Sequence, residues 1–447
     1  MQTIEEAAEA LAAGRTSAAA LVDEALARIA DGAVRGTFTA IYADAARAQA
    51  RALDALREAG APPGRYAGVP VTVKDLFDEA GHVTTAGSAV LRDAPPAAAD
   101  APAVARLRRA GFVVLGRTGM TEFAFTGLGV NPHYGTPPSP WDRGTGRLPG
   151  GSSSGAAVAA AEGMGFGGLG TDTGGSCRVP AALCGVTGFK PTARRVPLAG
   201  VLPLAPSLDS VGPLARSVAC CAVLDAAISG DEAPAAPAPK PVAELRLALP
   251  RGTFLTEDMD GAVAAVFTRA LSRLAAAGAR IEMLDLPELA ELPAVNAAGG
   301  FAAAEAYAWH RRLIAERRDG YDPRILARIM RGERMSAADY IELVAARARV
   351  IAAVARRTAG FDAVVCPTCP IVPPAIAEVE PEAEYNRLNM LLLRNTAVAN
   401  FLDRCSVSLP IHRPGEAPVG LMLVGEAMAD RALLAVAAGV EAALAGR

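Results

Sequence analysis

Lysine is nearly missing from this chain. Among 44 basic residues only Lys74, Lys190 and Lys240 are lysine, which leaves 41 arginines. A compositional preference for arginine accounts for that ratio without any function. It also marks each remaining lysine as a candidate for work that arginine cannot do. A guanidinium stays charged in proteins, whereas a buried ammonium can give up its proton. Lys240 sits in the loop-like stretch "APAAPAPKPV" and is expected to be solvated. Lys74 and Lys190 lie in apolar settings and are the two of interest.

Other scarcities exclude whole classes. Four histidines (82, 133, 310 and 412) leave a Ser-His-Asp enzyme open but unadvertised. The seven cysteines are irregularly spaced, which is expected of reduced thiols in a cytoplasmic protein rather than of a disulfide framework. Cys366-Pro-Thr-Cys369 has no second pair at zinc spacing, so no metal and no cofactor are expected. No run approaches the ~18 apolar residues of a membrane span. Residues 155–170 come nearest, and Glu162 and several glycines interrupt them. The start, "MQTIEEAAEALAAGRTS", is acidic and amphipathic, unlike a secretory signal. A net charge of −3 and a pI near 6.0 argue against nucleic acid as the partner.

What is present is enough apolar sequence for a large core: 51% of 447 residues are hydrophobic and 20% charged. Residues 3–30 and 38–59 read as helices, with Thr16-Ser17 as an N-cap and Val22, Leu26 and Ile29 on one face. "GVPVTVKD" (68–75) and "FVVLGR" (112–117) are short β-branched runs typical of buried strands, with the helical "PAVARLRRAG" between them. Residues 155–164 and 218–229 read as helices, and the Pro/Ala loop 231–242 as an insertion. Strand-like 245–250 and 280–286 flank helix 259–277. Residues 300–357 look mainly helical, 361–368 and 419–425 look like core strands, and 428–445 closes as a helix. The alternation argues for one α/β domain wrapped in helices.

Two short motifs invite misreading. Gly165-Phe-Gly167-Gly-Leu-Gly170 matches G-x-G-x-x-G, but a helix precedes it, "TDTGGS" follows, and residue 190 is a lysine where an acid is required. Gly151-Ser152-Ser153-Ser154-Gly155 matches the G-x-S-x-G elbow with Ser153 as nucleophile. That elbow needs a preceding strand, and here "RGTGRLPG" is a loop. A histidine must also follow, and neither His310 nor His412 has a context that marks it. Lysine is the other common activator of serine.

Taken together, "GVPVTVKD", "PGGSSSGAAVA" and "GLGTDTGGSCRVPAALCGVTGFKPT" resemble the amidase signature family. "SLDSVGPLARSV" (207–218), "VVCPTCP" (364–370) and "VGLMLVG" (419–425) resemble its later landmarks. The resemblance implies one domain over 1–447 with a central mixed β-sheet surrounded by α-helices. Within it, 1–62 would hold N-terminal helices, 63–230 the catalytic motifs, and 231–447 the sheet completion and a helical pocket region.

It further implies a Ser-cisSer-Lys triad. Ser176 would be the nucleophile, Ser152 the bridging serine after a cis peptide, and Lys74 the base. Burial would keep Lys74 neutral by disfavouring its charged form. Thr173, Gly174, Gly175 and Ser176 would present backbone N–H groups as an oxyanion hole, where one donor lowers a barrier by ~3 kcal/mol. Ser153, Asp172 and Arg178 would support the loops, although a spare hydroxyl and a surface ion pair are the bland alternative. Lys190 resembles a structural position.

Three residues depart from the family pattern: Gly119 where asparagine is common, Cys177 where isoleucine or valine is frequent, and Met422 in place of glutamine. Gly119 and Met422 would leave a roomier pocket. Gly119, Met120, Phe123, Phe125 and Gly151, with the helices of 300–357, are the expected pocket residues. No charged cluster in the sequence marks a charged substrate. The expected substrate is a small amide, with anilides, esters and carbamates open to the same acyl-enzyme route. The expected enzyme is a monomer or homodimer. Two alternatives stand beside it: the A-type component of an amidotransferase, supplying ammonia, and an α/β-hydrolase-type esterase acting through Ser153.

Overall fold

The computed structural model describes residues 2–445 except 33, 63, 232 and 233. A single sheet of 11 strands runs through the molecule. In chain order the strands are β1 Phe38–Ile41, β2 Pro70–Lys74, β3 Val113–Thr118, β4 Gly167–Asp172, β5 Thr187–Lys190 and β6 Ser210–Ala215. They continue with β7 Arg246–Arg251, β8 Arg280–Asp285, β9 Ala363–Pro367, β10 Ser406–Pro410 and β11 Gly420–Val424. Across the sheet they lie β1-β3-β2-β4-β6-β5-β10-β11-β9-β7-β8. Parallel pairs (β2 with β3 and β4) and antiparallel pairs (β4 with β6, β10 with β11) make it mixed. All three sequence segments contribute strands to this sheet.

The central strands are buried on both faces, which is why β2 reads as an unbroken β-branched run rather than as an alternation. β4 differs because it is built from glycines: a Cβ at Gly168 would come within 2.4 Å of Thr72 Oγ1 on the neighbouring strand. The apparent dinucleotide motif at 165–170 is therefore mostly strand, not the loop it resembles. A second correction concerns 38–59. Its first four residues form β1, antiparallel to β3, and the helix is Ala43–Glu58. Thr39 is β-branched and Phe38 aromatic, so strand propensity wins where an edge partner is available.

The helix at Ala18–Gly32 starts with Ser17 Oγ accepting from Ala20 N, the cap that the sequence offers. Of the 231–242 stretch, residues 232 and 233 lie outside the described residues. Lys240 is not simply solvated: it pairs with Asp362 at 2.6 Å. Among the described residues no helix is long and apolar enough to cross a membrane. All seven cysteines are free and buried.

Candidate active site

The sheet brings two chain segments to one place. β2 and β4 are parallel neighbours, with Thr72 opposite Gly168, so their C-terminal ends, Lys74 and Asp172, emerge side by side. The helix Ser154–Glu162 packs its small residues over β4, and the loop before it delivers Ser152. The loop after β4 delivers Thr173, Gly174, Gly175 and Ser176, and the helix Arg178–Cys184 follows.

Lys74 is fully buried, and Nζ donates to Ser152 Oγ at 2.8 Å and to Thr171 Oγ1 at 2.9 Å. Burial lowers its pKa from the ordinary lysine range to about 7, against the pull of Cys177, Asp172 and Asp209, which favour the charged form. The peptide bond between Gly151 and Ser152 is cis. Lys190 is the other buried lysine, held by burial at about 8, but it donates to the Pro191 carbonyl at 2.8 Å and to neither serine.

Asp172 organises the loop that carries Ser176. Its two carboxylate oxygens accept from Gly175 N (2.8 Å) and Cys177 N (3.1 Å) and form a bidentate pair with Arg178 (2.8 and 2.9 Å). Both side chains are completely buried. Burial alone would raise the Asp172 pKa, but the Arg178 guanidinium outweighs it and holds the carboxyl at about 2. Arg178 is clasped from the far end of the chain by the Thr396 carbonyl (2.9 Å), Asn400 Oδ1 (2.6 Å) and Met422 Sδ (3.2 Å). Met422 therefore packs on the support and does not enlarge a pocket.

Within the expected oxyanion loop, the Gly175 N–H donates to Asp172 Oδ1 at 2.8 Å. The N–H groups of Thr173, Gly174 and Ser176 have no acceptor among the described residues. Gly175 also matters for its backbone. Its φ is +141°, and a Cβ there would lie 2.2 Å from Thr396 Oγ1. The Thr173 hydroxyl is tied to Asp209, which also accepts from Leu204 N and Ala205 N.

Ser176 and Ser153 have different surroundings. Ser176 lines a cavity of about 820 Å³ together with Thr173, Gly174 and Phe125. Ser153 is fully buried, gives its hydroxyl to the Thr171 carbonyl (3.4 Å) and its N–H to the Ser176 carbonyl (3.3 Å). His310 is engaged with Tyr321 (3.0 Å) in an aromatic cluster with Phe123 and Trp309.

Of the expected pocket residues, only Phe125 lines this cavity. Gly119 is pressed against the chain, and a Cβ there would lie 1.9 Å from the Gly36 carbonyl oxygen. Met120 is buried in the core, Phe123 packs on His310, and Gly151 sits against Gly129. From 300–357 the cavity takes the start of the helix Gly300–Arg317 and residues Arg328 and Arg331, while the helix Ala337–Thr358 stays outside it. Residues 389–401 supply a further wall. Thr171, Thr396 and Asn400 went unnoticed in the sequence. Thr171 lies inside a quoted motif, while the other two sit in an apolar helical stretch with nothing to single them out.

The family model for Amidase matches residues 20–434. The chain belongs to the Amidase family. Among relatives, the 2-amino-5-chloromuconic acid deaminase of Comamonas testosteroni is 39% identical over 89% of this chain and 86% of its own length. The A component of the glutamyl-tRNA(Gln) amidotransferase of Anaeromyxobacter sp. (strain K) is 35% identical over 98% of this chain and 95% of its own. A crystal structure of an amidase superposes with a TM-score of 0.89 at 33% identity, covering 99% of both chains. The protein is accordingly an amidase-family hydrolase.

Proposed function

We propose that this hydrolase cleaves the C–N bond of small amides through an acyl-enzyme on Ser176, with Ser152 as proton relay and Lys74 as base. The observation that carries the reading is the 2.8 Å contact between Ser152 and a fully buried Lys74 whose pKa is lowered to about 7. Such an amine is substantially neutral at physiological pH and can accept a proton. Ser176 Oγ attacks the carbonyl carbon as its proton passes to Ser152, whose own proton passes to Lys74. The free amides of Thr173, Gly174 and Ser176 stabilise the oxygen that gains charge. Lys74 returns the proton through Ser152 to the nitrogen, and the C–N bond breaks with loss of amine. Water then attacks the acyl-enzyme by the same relay and releases the acid. Anilides, esters and carbamates (urethanes) enter the same route because each presents an acyl carbon to Ser176.

Asp172 and Arg178 act as supports by fixing the loop, and Ser153 by joining the two serine-bearing segments. The bond that the Ser153 hydroxyl makes to the Thr171 carbonyl weighs against the elbow reading. The ammonia-supplying amidotransferase reading draws on the relatives of that name. It would show glutaminase activity only with a partner. The seven buried thiols fit a reducing compartment, and the proposal is a cytoplasmic enzyme working as monomer or homodimer. Purified protein, alone, on a panel of amide, anilide and carbamate reporters is the test. Turnover without any partner, lost in Ser176→Ala, is expected; turnover that survives Ser176→Ala would overturn the mechanism.

A further inference from the structure

The cavity that holds Ser176 is also where this chain leaves arginine charge unmatched. Arg328, Arg331, Arg387 and Arg394 line it, and among the described lining residues there is no aspartate or glutamate. Arg387 is answered from outside by Glu384 at 2.8 Å. The other three meet neutral acceptors only. Arg328 bonds to Asn386 Oδ1 (2.8 Å) and Arg331 to the Ala297 carbonyl (3.2 Å). Arg394 bonds to Asn395 Oδ1 (3.1 Å) and the Glu257 carbonyl (2.8 Å). Arg328 Nε is buried without a hydrogen-bond partner among the described residues. By contrast, Arg117 faces Asp75 and Arg178 faces Asp172.

The remaining wall is apolar, with Leu204, Phe254 and Phe301 among its residues. Burial pushes the Arg328 guanidinium below the ordinary arginine value with no carboxylate among the groups that act on it; burial lowers Arg394 as well, although Asp258 and Glu257 pull it the other way. Leaving a buried donor and its charge unanswered is unfavourable unless the answer arrives with the ligand. A guanidinium fork matches a carboxylate in shape as well as charge.

We infer that the substrate is an amide that also carries a carboxylate, such as the monoamide of a small dicarboxylic acid, with the scissile carbonyl at Ser176 and the carboxylate held by Arg328 and Arg394. This rests on the reading of Ser176 given above. It also reverses the expectation that no charged cluster marks the substrate, because these arginines come from separate segments and line one cavity only in the fold.

Binding separates the inference from the chemistry. Calorimetry on full-length Ser176→Ala protein compares glutaramate and adipamate with the uncharged diamides glutaramide and adipamide. The better monoamide should bind at least tenfold more tightly than its diamide, and the preference should shrink as sodium chloride is raised. Arg328→Gln in the same background should reduce the preference about ten- to hundredfold. Arg328→Lys, keeping the charge, should restore part of it, and Arg394→Gln provides a second reading should Arg328→Gln fold poorly. Equal binding of monoamide and diamide, no binding of either monoamide, or a preference indifferent to both arginines would overturn the inference. Neutral anilides hydrolysed through Ser176 without any anion preference would leave the serine mechanism standing and sink this one. Tight monoamide binding by a wild type that hydrolyses nothing would do the reverse.

Discussion

Lys74 Nζ and Ser152 Oγ lie 2.8 Å apart in a site closed to solvent, each delivered by a different segment of the chain. Lys74 ends a central strand and Ser152 precedes a helix packed over the next one. Their meeting is a property of the sheet order rather than of either motif alone.

The pH profile follows from that contact. Folding lowers the Lys74 pKa from the ordinary lysine range to about 7, and in the proposed mechanism only the neutral amine serves as base. kcat/KM should therefore be small below about pH 6, rise through pH 7 and level off above about pH 8. Lys74→Arg should be inactive across the whole range because its charge persists. A profile flat from pH 5 to 9, or an active Lys74→Arg, would remove Lys74 as base.

The nucleophile can be read directly. A fluorophosphonate label followed by peptide mass spectrometry should modify Ser176. Ser176→Ala should lower kcat about ten-thousandfold or more. Ser153→Ala, which loses only a long bond to a carbonyl, should lower it less than tenfold and still take the label. Label on Ser153 would revive the elbow reading.

Breaking the Asp172–Arg178 pair should damage both stability and catalysis. Arg178→Met leaves a buried carboxylate alone, and such losses cost about 3–5 kcal/mol. Urea denaturation measures the stability loss. Because Asp172 also orders the Gly175 and Cys177 amides, the surviving folded fraction should lose kcat with little change in KM. The acid side has a definite sign. With its folded pKa near 2, below the ordinary carboxylate value, Asp172 contributes stability above about pH 4, and that contribution fades as the pH falls toward 2.

Gly119 gives a test of fit. Gly119→Ala would place a methyl group 1.9 Å from the Gly36 carbonyl oxygen, a backbone atom that cannot rotate away. A loss of about 1–3 kcal/mol, or failure to fold, is expected in thermal unfolding. An unchanged melting temperature would show that the local backbone yields.

The legible part of this fold was the part written in runs. β2, β3, β7, β8, β9 and β11 announce themselves as apolar or β-branched stretches, and the helix Val218–Ser229 has its expected ends. β4 did not, because a strand of glycines lacks the side chains that signal strands. β1 was hidden by the alanine-rich helix that follows it. The serines and the lysine were readable as ordered motifs. The cavity was not, since Phe125, Arg328 and Arg394 share no local pattern and are joined only by tertiary packing. Gly119 looked like a vacancy in the sequence, whereas its missing side chain is filled by neighbouring backbone.

The clasp on Arg178 sets an order for synthesis. Lys74, Ser152 and Ser176 all leave the ribosome within the first half of the chain, but Thr396, Asn400 and Met422 come near its end. A growing chain thus carries every group of the proposed relay long before the residues that hold the Asp172–Arg178 pair in place. Hydrolytic competence should appear late and abruptly during translation, so that truncated products are catalytically silent even with their serines and lysine intact.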